Sequence, residues 1–198
     1  MLIIEHRVNK IEELNAVPKE NGVEIDVRHD NRNGTLYLNH DPGTGDDLEE
    51  YLKKFNHAFI VFNIKEVGIE NRCIQLAKKY NIPKSNYFLL DVEFPYLYRA
   101  SRKDGVREIA VRYSEAEPIE MALAQKNLVD WVWIDTNTKL PLNIQTGKLL
   151  MENFKTCLVS PDRWGRPEDI KRYIEKIKEI NFRLDAVMVG KEYVDFWK

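Results

Sequence analysis

Val23-Glu24-Ile25-Asp26-Val27 is an apolar run broken by two acids, with Gly22 before it and Asp30-Asn31-Arg32-Asn33-Gly34 after it. On a β-strand, residues two apart share a face, so Glu24 and Asp26 point the same way. Two adjacent carboxylates on an otherwise apolar strand are costly unless a cation or hydrogen-bond donors face them. The stretch therefore predicts both a strand and a charged site built on it. Outward from it, His6-Arg7 precedes the run and His40-Asp41-Pro42 follows it. Asn33-Gly34 is a strong hairpin-turn signal, after which Thr35-Leu36-Tyr37-Leu38 returns as a partner strand.

The same kind of short apolar run recurs at 2–5, 58–62, 87–90, 109–111, 129–134, 157–159 and 186–189, each followed by polar residues. Helical patterns lie between the runs. A short helix or turn covers 8–17, before Pro18. The next, over 46–55, has Asp46 or Asp47 suited to its cap and Leu48, Tyr51, Leu52 and Phe55 on one face. Further helices are predicted over 69–80, 94–101, 118–125 and 168–180, and a helix end over 147–153. Eight runs alternating with helices imply a parallel sheet, and eight such units imply an α/β fold closed into a compact (β/α)8 TIM barrel. A single domain over 1–198 is expected. An open doubly wound sheet is the alternative, but the Gly-rich phosphate turn after the first strand is missing.

Composition narrows the function. The 198 residues are 43% hydrophobic, enough for one sizeable core, and the net charge of -2 gives no basic footprint for nucleic acid. Cys73 and Cys157 match no metal or redox spacing and read as buried thiols of a reducing compartment. The start, Met1-Leu2-Ile3-Ile4-Glu5-His6, is too soon charged for a signal peptide, and no apolar run approaches a membrane span. A cytoplasmic location is expected, with the oligomeric state open.

In a barrel, active residues come from the C-terminal ends of strands. Those ends hold His6, Arg7, Glu24, Asp26, Asn63, Lys65, Asp91, Glu93, Arg112, Trp133, Asp135, Ser160 and Lys191. The mixture suggests an anionic ligand held with a cation. His29 and His57 have no motif partners and are expected on the surface. Bland readings compete: a structural ion pair of Glu24 and Asp26 with Arg7, Arg28 or Lys65, a core role for His6, and a turn-capping role for His40.

His6-Arg7, then Glu24-Ile25-Asp26-Val27, then the Asn33-Gly34 hairpin, then His40-Asp41-Pro42 resemble the start of the glycerophosphodiester phosphodiesterase family. That family belongs to the phosphatidylinositol-phospholipase-C-like phosphodiesterases, which are (β/α)8 barrels. The resemblance covers about the first third of the chain and implies a metal-assisted phosphodiesterase acting on a small-molecule phosphodiester. It implies His6 and His40 as the acid/base pair, Arg7 and Lys65 as phosphate-binding groups, and Glu24 and Asp26 as ligands of a divalent cation, Mg²⁺ or Ca²⁺. The family's third carboxylate falls on Asn63 of Asn63-Ile64-Lys65, which offers only a neutral oxygen, and the usual insertion after the His-Asp motif is absent. Asn63, Asp91 and water are the candidates to complete the metal site with Glu24 and Asp26, while Arg28, on the face of the two acids, is the candidate to replace the metal. Arg112 at the barrel mouth is a further candidate phosphate ligand, and Trp133 a candidate pocket wall. The rival function is a barrel without catalysis that binds a phosphorylated sugar or polymer.

Overall fold

In the computed structural model, which describes residues 1–198, each apolar run of the sequence is a strand. The chain divides into two compact units, Ile4–Arg99 and Met1–Ile3 with Ala100–Lys198.

The first unit contains the end of β1 (Leu2–Glu5) and a single helical turn, α1 (Ile11–Leu14). The acid-bearing strand β2 (Gly22–His29) follows, with the hairpin strand β3 (Leu36–Leu38) and a two-residue strand β4 (Asp46–Asp47). Then come α2 (Leu48–Lys54), β5 (Phe59–Ile64), α3 (Glu70–Lys79), β6 (Tyr87–Leu90) and α4 (Phe94–Arg102), which crosses into the second unit. β2 lies between β1 and β5, parallel to both, and β6 extends the parallel set beyond β5. Ile25, Ile60, Phe62 and Phe88 are fully buried, as expected of strands covered on both faces. β2 lies close to both neighbours at Gly22: a Cβ there would sit 2.9 Å from Phe59 Cβ in β5 and 3.2 Å from Ile4 Cγ1 in β1.

The predicted hairpin forms. β3 pairs antiparallel with the end of β2, His29 opposite Leu36, and Gly34 takes φ +77° in the turn. Asp47 caps α2 by accepting from Glu50 N at 3.0 Å. His57 departs from expectation. It is buried, with Nε2 3.1 Å from Val17 O and its ring against Phe55, and burial lowers its pKa. The loop around Val17 and Lys19 packs against it, a contact local pattern does not encode.

The second unit carries β7 (Ala110–Tyr113), α5 (Ile119–Leu123), β8 (Trp131–Ile134), α6 (Ile144–Asn153), β9 (Lys155–Val159), α7 (Asp169–Glu179) and β10 (Ala186–Val189). β7 to β10 pair in parallel in chain order. α6 is longer than the helix end predicted, because Asn143 and Thr146 form a reciprocal capping box that starts it three residues before Gly147. Cys73 and Cys157 are buried free thiols. Counting β1, β2, β5 and β6 with these four gives eight parallel strands alternating with helical segments, the (β/α)8 barrel class. No helix is long and apolar enough to cross a membrane.

Candidate active site

Strand alternation puts Glu24 and Asp26 on one face of β2, and the register with β5 sets Asn63 opposite Asp26. Both acids are buried, at 2% and 0% exposure. Beyond β1 the chain turns sharply at Arg7, whose φ is +55°, and this left-handed residue aims its own N–H at Glu24 Oε2, 2.8 Å away. His6, beside it in the turn, brings Nε2 to 3.9 Å from the same oxygen. The other oxygen, Glu24 Oε1, accepts from Asn63 Nδ2 at 2.8 Å.

Asp26 is equally enclosed. Asn9 grips it twice: Asn9 Nδ2 donates to Asp26 Oδ2 and Asp26 N donates to Asn9 Oδ1, both at 2.8 Å. Arg7 Nε lies 3.8 Å from Asp26 Oδ2. Lys65 Nζ lies 3.1 Å from Asp26 Oδ1, an ion pair without hydrogen-bond alignment. Burial, with the Asp26 charge second, pushes the Glu24 carboxyl up to about 7, against the opposing pull of Asn63, the Arg7 N–H and Lys65.

The structure thus brings together His6, Arg7, Glu24, Asp26, Asn63 and Lys65. Asn9 belongs with them and was not singled out in the sequence. Its only signal is an amide three residues beyond His6, in a turn leading to a strand-borne acid.

Arg28 does not serve the acid pair, although it shares their face. It lies at the far end of β2, where Nε and Nη2 donate to His40 O at 3.1 and 2.8 Å and Nη1 donates to Glu66 Oε1 at 3.0 Å. This clamp fixes the backbone of the His40 loop to β2. The His40 side chain is partly exposed, with Nδ1 2.9 Å from Asp41 Oδ1. A carboxylate on Nδ1 orients the ring and leaves Nε2 for a ligand.

Asp91 ends β6 in a left-handed conformation, φ +60°, and is exposed. Arg112, Trp133 and Asp135 lie in the second unit. There Arg112 Nη1 pairs with Asp135 Oδ2 at 2.6 Å, and Trp164 Nε1 donates to Asp135 Oδ1 at 2.8 Å. Trp133 faces Arg112 across the β7–β8 register and is 3% exposed, so it is packed rather than open to solvent.

A hard divalent cation needs several oxygens converging on one point. Here the four carboxylate oxygens of Glu24 and Asp26 already face Asn63, Arg7, Asn9 and Lys65. Asn63 gives its N–H to Glu24 Oε1, while its own Oδ1, like Asp26 Oδ1, is buried without a hydrogen-bond partner. Two unit charges 4 Å apart interact by about 4 kcal/mol at an effective dielectric of 20, and a divalent ion doubles that, so the Lys65 ammonium opposes entry strongly. No group of three or more His, Cys, Asp or Glu side chains is arranged to hold a metal, so Asp91 does not complete the set. As arranged, Glu24, Asp26 and Asn63 do not fit the expected Mg²⁺ or Ca²⁺.

No family model and no curated protein matches the sequence. Solved structures do match. A glycerophosphodiester phosphodiesterase from Agrobacterium tumefaciens superposes with a TM-score of 0.67 at 13% identity, over 99% of this chain and 99% of that one. A glycerophosphoryl diester phosphodiesterase from Parabacteroides distasonis gives 0.62 at 14% identity, over 98% of this chain and 84% of that one. An Oleispira antarctica phosphodiesterase, solved with its product sn-glycerol-3-phosphate, gives 0.64 at 17% identity, over 100% and 95%. The chain has the fold of the glycerophosphodiester phosphodiesterases, the family its first third resembles in sequence.

Proposed function

We propose that this protein cleaves a small or headgroup-type phosphodiester by acid/base catalysis. The observation that carries this reading is the gathering of His6, Arg7 and Lys65 on the buried Glu24–Asp26 pair, in a fold shared with phosphodiesterases. Arg7 and Lys65 supply positive charge for the phosphate oxygens. One imidazole of His6 and His40 takes the proton of the attacking hydroxyl or water as its oxygen bonds to phosphorus. The other protonates the leaving oxygen as its bond to phosphorus breaks. Glu24 holds His6 and the Arg7 turn in place; the Arg28 clamp holds the His40 loop.

A screen of aryl phosphodiesters and glycerophosphodiesters tests the reading. Turnover is expected in the wild type, with losses of about 100-fold or more in His6→Ala and His40→Ala. Equal turnover in all three proteins would sink it. Asn63, an amide where the resemblance places a carboxylate, favours a second reading: a binding barrel for a phosphorylated sugar or polymer. Saturable binding of sn-glycerol-3-phosphate without turnover of any diester would select that one.

A further inference from the structure

We propose that the Lys65 ammonium, helped by Arg7, is the resident cation of the Glu24–Asp26 pair and stands in place of a divalent metal, so that phosphate binding at this site is metal-independent. The inference rests on the phosphodiester reading for its ligand but not for its central claim, which concerns the acid pair alone.

Charge balance is the first argument. The pair holds two carboxylates, and two permanent cations reach it: Lys65 Nζ at 3.1 Å from Asp26 Oδ1 and Arg7 Nε at 3.8 Å from Asp26 Oδ2. A metal-binding pair keeps its negative charge for the ion; this one has spent it on side chains. Geometry is the second. Asn63 donates to Glu24 Oε1 and Asn9 to Asp26 Oδ2, so each acid already has one oxygen turned to an amide N–H rather than left open to a metal. These amides position the acids for Lys65 and Arg7. The third argument is donor capacity. An ammonium has three N–H groups, and contact with Asp26 leaves others for phosphate oxygens. Lys65 is partly exposed, 17% at the side chain, while Asp26 is fully buried, so the Lys65 side chain runs between solvent and the buried acid.

The test is a calorimetric titration of chelator-treated wild-type protein with MgCl2, CaCl2 and MnCl2, paired with the paramagnetic signal of free Mn²⁺. No saturable uptake at millimolar ion is expected. Uptake that Asp26→Asn abolishes would overturn the proposal. Lys65→Met, checked for native circular dichroism, is expected to gain Mn²⁺ uptake; a folded Lys65→Met that takes up none would overturn Lys65 as the excluding cation. Binding of inorganic phosphate, and any diester turnover, should change by less than about two-fold between EDTA and excess Mg²⁺. A gain of ten-fold or more with Mg²⁺ would overturn metal independence. Failure of the phosphodiesterase reading shows separately, as no turnover in either buffer, and leaves the metal titration to decide this proposal.

Discussion

Lys65 Nζ lies 3.1 Å from Asp26 Oδ1, and Asp26 is wholly removed from solvent. Removing one partner of a buried pair leaves an uncompensated charge and costs roughly 3–5 kcal/mol. Lys65→Met is expected at the low end, about 3 kcal/mol, because Arg7 and Asn9 still face Asp26. Urea unfolding at neutral pH measures it. A loss under about 0.5 kcal/mol would show that the ammonium contributes nothing to folding.

Glu24 titrates against the fold. Its carboxyl is raised to about 7, chiefly by burial, so the folded protein holds this proton more tightly than the unfolded chain does. The stability it contributes is fully present below the ordinary carboxylate pKa near 4.5 and is lost as pH rises through about 7. Glu24→Gln has no such titration. Its melting temperature relative to wild type should therefore rise between pH 5 and pH 8. A constant difference across that range would contradict the raised pKa.

Asn9 replaces a missing strand partner for Asp26 with its side-chain amide. Asn9→Ala orphans the Asp26 N–H and one carboxylate oxygen together. A loss of about 2 kcal/mol is expected by chemical denaturation. The same substitution should weaken phosphate binding, since it frees Asp26 to shift against Lys65.

Gly22 tests the close approach of the strands. Its added Cβ would meet Phe59 Cβ at 2.9 Å and Phe59 O at 3.0 Å, both held in β5. Gly22→Ala is expected to destabilise by roughly 1–3 kcal/mol, read from the denaturation midpoint.

Cys73 is buried, with its thiol pushed up to about 12 by burial. The thiolate is the reactive form, so the native protein should resist iodoacetamide at pH 8 and react only after unfolding. Fast labelling of Cys73 under native conditions would contradict its placement.

The barrel class was legible because strands buried on both faces read as apolar runs, and helices between them force parallel pairing. The hairpin at Asn33-Gly34 and the Asp47 cap were legible because local chemistry decides turns and helix starts. The acid pair was legible through its period of two. What surrounds it was not. Asn9 reaches Asp26 across 17 residues of chain. Arg28 shares the face of the acids yet finds Glu66 and the His40 carbonyl, because side-chain parity gives the direction but not the partner. His57 looked like a surface residue because its cover comes from the loop near Val17. The capping box of Asn143 and Thr146 is local chemistry that starts α6 at Ile144.

The left-handed turn at Arg7 divides that residue into two independent parts. Its backbone N–H serves Glu24 whatever the side chain, while the guanidinium alone serves Asp26. A glycine fits positive φ without the roughly 1 kcal/mol cost borne by other residues. Arg7→Gly would therefore strip charge from the site while easing the backbone that shapes it. One residue thus serves the two acids through different atoms, its backbone amide on Glu24 and its guanidinium on Asp26.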